Sequence, residues 1–199
     1  MGTGDGRAVL AMAARDPNAL VLGVDASAAG LAESSRRAAA PARTGGLANA
    51  HFIVAAAEAL PAALCGVASR VTVTLPWGSL LRGCVGADDA VAERVAALVA
   101  PGGRLELLLA PSARDGLPGV PLDADALCAA VAGTYARFGL NLDAARGATD
   151  EEIDASASTW ARRLRSQRPD DRTVMLVRLV RPPSVAVRPR DVEKETVSA

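Results

Sequence analysis

Apolar positions along the chain change their period repeatedly, and each change marks an element. Arg7 to Arg15 carries apolar residues at helical spacing, and Asp16-Pro17-Asn18 breaks the pattern. Ala19-Leu20-Val21-Leu22-Gly23-Val24-Asp25 is a continuous apolar run ending in an acid, as expected of a buried strand. Ser27 has the character of an N-cap and predicts a helix to about Ala39. Pro41 to Asn49, with Gly45-Gly46, reads as a loop, followed by a short strand from Phe52 to Ala55 and a helix from about Glu58 to Leu64. Val71-Thr72-Val73-Thr74-Leu75 is a β-branched strand that Pro76 terminates; a loop follows, then a helix near Asp89 to Val99. Pro101-Gly102-Gly103 turns into a strand from Arg104 to Leu109. Leu122 to Phe138 is predicted helical, Leu140 to Arg146 a strand, Asp150 to about Arg168 a long helix, and Thr173 to Val180 a last strand. This alternation specifies an α/β fold with a mostly parallel sheet and helices on both faces. Residues 1–181 form the expected domain, and the Pro- and charge-rich stretch 182–199 is expected to be a disordered tail.

Composition narrows the picture. A chain of 199 residues with 50% hydrophobic content has material for one full core. No stretch reaches the roughly 20 apolar residues of a membrane span, and Met1-Gly2-Thr3-Gly4-Asp5-Gly6-Arg7 lacks the layout of a secretory signal. Cys65, Cys84 and Cys128 are widely spaced among small apolar residues, which suits reduced core thiols in a cytoplasmic protein, with neither disulfide nor zinc spacing. The 22 basic and 22 acidic residues cancel, so any nucleic-acid role requires local segregation of charge. Lys194 is the only lysine, an arginine bias that reflects codon composition.

Three stretches carry candidate chemistry. Gly2-x-Gly4-x-Gly6 leads directly into a helix, so its backbone can approach a ligand whose polar groups face the helix N-terminus. Asp25, about twenty residues on at a strand end, is placed to accept ribose hydroxyls, and this shorter glycine spacing suits S-adenosylmethionine better than a nicotinamide cofactor. Asp25 also has a purely structural reading as a helix cap. Ala56-Ala57-Glu58 would lie near the adenine, although Glu58 is equally an ordinary first-turn acid. The second stretch, Pro76-Trp77-Gly78, sets one of two tryptophans at the strand edge where ligands of doubly wound sheets bind. It reads either as a platform for a planar substrate or as a core plug or a cap for the following helix. The third, Ser158-Thr159-Trp160-Ala161-Arg162-Arg163-Leu164-Arg165-Ser166-Gln167-Arg168, puts Trp160 and Arg163 on one helix face. Together with Arg36, Arg37 and Arg43 it offers a phosphate-contacting surface, or else solvated turns. His51, opening its strand, reads as structural.

The combination of Gly2-Thr3-Gly4-Asp5-Gly6, Gly45-Gly46-Leu47, Glu58-Ala59-Leu60-Pro61, Pro76-Trp77-Gly78-Ser79-Leu80-Leu81-Arg82-Gly83 and Trp160-x-Arg162-Arg163-Leu164 is specific. Over about residues 2 to 181 the chain resembles the aminoglycoside-resistance 16S ribosomal RNA methyltransferases that modify N1 of adenine-1408, the kanamycin–apramycin resistance family. The resemblance implies a Rossmann-like class I methyltransferase using S-adenosylmethionine, acting as a monomer on the decoding site of the 30S subunit, with no membrane association. It implies that Trp77 and Trp160 sandwich a flipped adenine, with Pro76 placing the base and Ser158 supporting the Trp160 segment. Gly2, Thr3, Gly4, Asp5, Gly6, Asp25, Ala26, Ala57, Glu58 and Leu75 would line the cofactor site. Arg163 and Arg168 would hold the RNA backbone near the base, while Arg36, Arg37 and Arg43 dock on the RNA surface.

One departure stands out. Family members carry a strand before the Gly-rich loop, whereas this sequence opens on the loop itself. The strands ending at Asp25 and Leu75 are therefore expected to face each other across a gap, through a misplaced start or a truncation. Lower stability and weaker cofactor binding are the expected consequences. Two competing readings stay open: a methyltransferase of the same fold acting on another RNA or a small molecule, and a non-catalytic paralogue that has lost its cofactor pocket.

Overall fold

The computed structural model describes residues 1–155 and 173–184. In chain order the elements are α1 (Arg7–Arg15), β1 (Val21–Asp25), α2 (Ala28–Ala38), β2 (Ala50–Val54), β3 (Ala68–Thr74), α3 (Gly78–Cys84), α4 (Asp89–Ala97), β4 (Val99–Leu109), α5 (Ala124–Arg137), β5 (Asn141–Gly147), α6 (Asp150–Ala155) and β6 (Met175–Val180). Side-chain caps set several helix starts. The Ser27 hydroxyl accepts from the Gly30 amide at 3.1 Å, the Asp88 carboxylate from Val91 N at 3.1 Å, and the Asp123 carboxylate from Ala126 N at 2.9 Å.

The strands form two groups. β1 pairs with β2 in parallel, while the other group runs in the order β3-β4-β6-β5. β3 and β4 are parallel, as βα alternation implies, but β6 enters antiparallel between β4 and β5. The parting between β1 and β3 falls where the sequence places its gap. The first residues reach across it: the Met1 amino group donates to Thr72 O at 2.7 Å, and Gly2 N donates to Val24 O at 2.9 Å.

The larger core lies against one face of the four-stranded group. Leu105, Leu107 and Leu109 of β4, fully buried, pack with Val73, Val177 and Leu179 and with Val91, Val95, Val131 and Tyr135 of α4 and α5. Burying such side chains is worth about 1.5–3 kcal/mol each. On the alternate positions of the same strands, Glu106 is buried and accepts from Arg70, Arg104 and Arg178. Arg178 stands directly opposite Glu106 in the β4–β6 register, so the ion cluster ties three strands at one level. A smaller core of Val9, Leu10, Ala13, Ala38 and Ala50 joins α1 to β1–β2.

Several expectations need correction. The helix predicted over Glu58 to Leu64 is two 3-10 turns, Ala57–Ala59 and Ala62–Leu64, because Pro61 holds Leu60 extended between them. The stretch after Trp77, expected as a loop, contains α3, a short helix starting at a glycine. Pro101-Gly102-Gly103 lies within β4 as an irregularity of its ladder with β3, and Gly102 N and Gly103 O bond the Arg181 backbone. Leu20, expected to be buried, is exposed and precedes the strand. Cys65 is exposed too, whereas Cys84 and Cys128 are buried as expected; burial pushes the Cys84 thiol up to about 12. Only the first turns of the helix expected from Asp150 to Arg168, up to Ala155, lie among the described residues. Among the described residues no helix is long and apolar enough to cross a membrane.

Candidate active site

The first residues of the chain hold three strand ends at one edge, across the two strand groups. There β1 ends in Asp25, β2 runs into Ala56-Ala57-Glu58, and β3 runs into Leu75-Pro76-Trp77. The Gly-rich loop lies across this edge, joined to β1 through the Gly2–Val24 hydrogen bond. It also lies close against α3, since a Cβ on Gly2 would stand 2.8 Å from Leu80 Cδ2.

Asp25 organises the loop. Its Oδ2 accepts from Gly4 N at 2.8 Å and its Oδ1 from Ser27 N at 2.9 Å. Each carboxylate oxygen keeps a second lone pair, so the group still has acceptor capacity for a ribose. The cap and the ligand-binding readings of Asp25 are therefore compatible. Gly4 and Gly6 do different work. A Cβ on Gly4 would meet nothing within 4 Å, leaving its face open to a ligand, whereas one on Gly6 would sit 2.7 Å from Phe52 and 2.9 Å from Ser34. The Asp5 carboxylate turns back to Arg7 N at 3.1 Å, and its carbonyl accepts from the Ser34 hydroxyl at 2.5 Å. Thr3 Oγ1 is buried with no hydrogen-bond partner, an orphaned hydroxyl inside the loop. An open backbone cradle, an acid with acceptor capacity and an unsatisfied hydroxyl fit S-adenosylmethionine.

Ala57 is buried, Ala26 exposed, and Glu58 exposed at the rim. The neighbouring Ser79 hydroxyl, first, and a backbone amide hold the Glu58 carboxyl below the usual carboxylate range. This links the loop after β2 to the first turn of α3. Ser79 is a site-edge residue that the sequence did not single out as such; its signal, a serine one position after Gly78, was hidden because the helix itself went unrecognised.

Of the structural readings of Trp77, the helix cap holds and the core plug does not. It caps α3 in an extended conformation (φ −139°, ψ 170°), and 85% of it is exposed, more than any other large apolar residue among the described residues. It is not a core plug. Pro76 is half-buried beside it. Leu75 is buried and adopts φ +46°. The structure thus gathers Gly2, Thr3, Gly4, Asp25, Glu58, Leu75, Pro76 and Trp77 at one edge. Arg36, Arg37 and Arg43 are exposed at the end of α2 and in the following turn, with Arg36 paired to Glu33 at 2.6 Å. Ser158, Trp160, Arg163 and Arg168 lie outside the described residues. His51 is exposed on β2.

Comparison with known proteins shows the family. The family described as "NpmA: 16S rRNA (adenine(1408)-N(1))-methyltransferase" matches residues 1–180. A 16S rRNA (adenine(1408)-N(1))-methyltransferase of Streptoalloteichus tenebrarius is 35% identical over 175 residues, covering 84% of this chain and 80% of that protein. The crystal structure of the 16S rRNA methyltransferase KamB superposes with a TM-score of 0.80 at 33% identity, covering 92% of this chain and 86% of that one. A tryptophan-to-alanine mutant of the 16S rRNA (adenine(1408)-N(1))-methyltransferase from Catenulisporales acidiphilia, solved with cosubstrate SAM, has a TM-score of 0.77 at 33% identity, covering 96% and 85%.

Proposed function

The chain belongs to the NpmA family of 16S rRNA (adenine(1408)-N(1))-methyltransferases, and from that premise we infer how its own residues perform the reaction. It is an S-adenosylmethionine-dependent enzyme that methylates N1 of adenine-1408 in 16S ribosomal RNA, a modification associated with aminoglycoside resistance. The observation that carries the residue assignment is the 85% exposure of Trp77 at the strand edge that also holds Asp25 and the Gly-rich loop.

S-adenosylmethionine, when bound, supplies an electrophilic sulfonium methyl. The chain supplies position. Adenine N1 carries a ring lone pair, so the acceptor needs no prior deprotonation, and catalysis reduces to alignment and exclusion of water. Asp25 and the Gly2–Gly6 loop hold the cofactor, with Ala57 and Glu58 at its adenine end. Trp77 offers an indole face to the base, Pro76 limits how the base can tilt, and Trp160 supplies the opposite face. Extruding a base costs a few kcal/mol, and stacking on an aromatic side chain is worth about 1–3 kcal/mol per base. Two indoles therefore offset most of the cost. N1 methylation also leaves the ring positively charged, which favours stacking on indole over an aliphatic wall. Arg37, Arg43, Arg163 and Arg168 contact RNA phosphates, and Arg36 joins them if released from Glu33. The substrate is 16S RNA assembled in the 30S subunit, and the enzyme acts there as a monomer.

Reverse transcription across the decoding site of 30S subunits tests this reading. N1 methylation blocks Watson–Crick pairing, so incubation with the protein and S-adenosylmethionine produces a stop next to adenine-1408. An unmodified adenine, or a stop elsewhere, overturns it.

A further inference from the structure

Among the described residues Leu75 is the only non-glycine with a left-handed backbone, φ +46°. A Cβ disfavours that region, and a following proline disfavours helical geometry at the same residue. A buried leucine held there, immediately before Pro76, calls for a reason.

Its surroundings supply one. The Leu75 amide donates to Leu108 O at 2.8 Å, which carries the β3–β4 ladder one residue past the strand, and the side chain is 6% exposed. On the far side of the turn Gly78 is again left-handed at φ +62°, and Leu80 and Leu81 of α3 are buried. Trp77 sits between two left-handed residues, gripped on both flanks yet itself 85% exposed. A glycine would adopt the Leu75 conformation freely but would not hold it, having no side chain to bury. We propose that Leu75 is a positioning residue: its buried side chain locks the left-handed turn that aims the Trp77 indole outward before the base arrives. The proposal rests on reading Trp77 as the base platform and adds that the platform is preset.

The test uses the full chain, comparing wild type with Leu75→Gly and Leu75→Met. In a Trp160→Phe background Trp77 is the sole tryptophan, so its fluorescence anisotropy reports directly on the order of the indole. Leu75→Gly loses a buried side chain and so is expected to lower Tm; assayed well below that Tm, it is expected to lower the anisotropy and to cut kcat/KM for 30S methylation by about tenfold. Leu75→Met, which keeps a buried side chain, is expected to restore both. Wild-type anisotropy in folded Leu75→Gly would overturn the proposal whatever its rate, as would a lowered anisotropy with an undiminished rate. So would a Leu75→Met protein that folds normally yet fails to restore the order of Trp77. If the wild type leaves 30S subunits unmodified, the functional reading falls, while the anisotropy still decides whether Leu75 orders the indole.

Discussion

The two rims of the cleft are built in opposite ways. On the cofactor rim the polar groups are mostly tied down: both Asp25 oxygens hold backbone amides, Ser27 caps α2, and Asp5 is bonded through its carboxylate and its carbonyl. On the base rim Leu75 is held in a disfavoured conformation and Trp77 stands bare in solvent. A small ligand that presents the same hydroxyls each time is best met by acceptors fixed in advance. A base delivered by a large RNA is best met by a flat apolar face, whose contribution appears only when the base displaces water. One rim is satisfied without its ligand except at Thr3 Oγ1; the other is incomplete.

That contrast can be broken by substitution on either side. The largest effect is expected from Trp77→Ala, which should lower 30S methylation by about tenfold to a hundredfold, the equivalent of ~1–3 kcal/mol of stacking. Calorimetry should find S-adenosylmethionine binding unchanged, and a parallel loss of both would show that the rims are not separable. Asp25→Ala should do the reverse. Cofactor affinity is expected to fall about tenfold, and the Gly4 and Ser27 amides lose their acceptor at a cost of about 1 kcal/mol in fold stability by urea titration. Binding of the cofactor-free protein to 30S subunits should hold.

A smaller effect sharpens the comparison at α6, the helix that precedes Trp160 in the chain. Thr149 N donates to the Glu152 carboxylate at 2.9 Å and Glu152 N to the Thr149 hydroxyl at 3.2 Å, a reciprocal cap. Arg146, first, and Thr149 lower the Glu152 carboxyl to about 2. Its folded value lies below its unfolded one, so its stabilisation is fully present above the usual carboxylate range and is lost as pH falls toward about 2. Thr149→Ala should cost about 1 kcal/mol at pH 7, and the difference between variant and wild type in thermal melts should shrink on acidification. A difference that grows instead would remove Glu152 from the cap.

Much of the site was legible because its signals are local. The Gly2–Gly6 spacing, an acid closing an apolar run at Asp25, and a proline–tryptophan pair ending a β-branched strand are all read within a few residues. The misses have local reasons too. α3 begins at Gly78, contains Gly83 and has Trp77 rather than a polar residue as its cap, so neither propensity nor capping marked it. Pro61 was visible in the sequence and should have divided the helix drawn across it.

By itself the sequence determined the order of the strands and of the helices other than α3, the strand-end position of the acid and the tryptophan, and the family, because periodicity and turn chemistry act between near neighbours. Only the tertiary structure decided that β6 runs antiparallel and that Trp77 faces water beside a turn in which Leu75 has a positive φ. Strand direction, pairing and exposure depend on residues far apart in the chain, and no local pattern carries them.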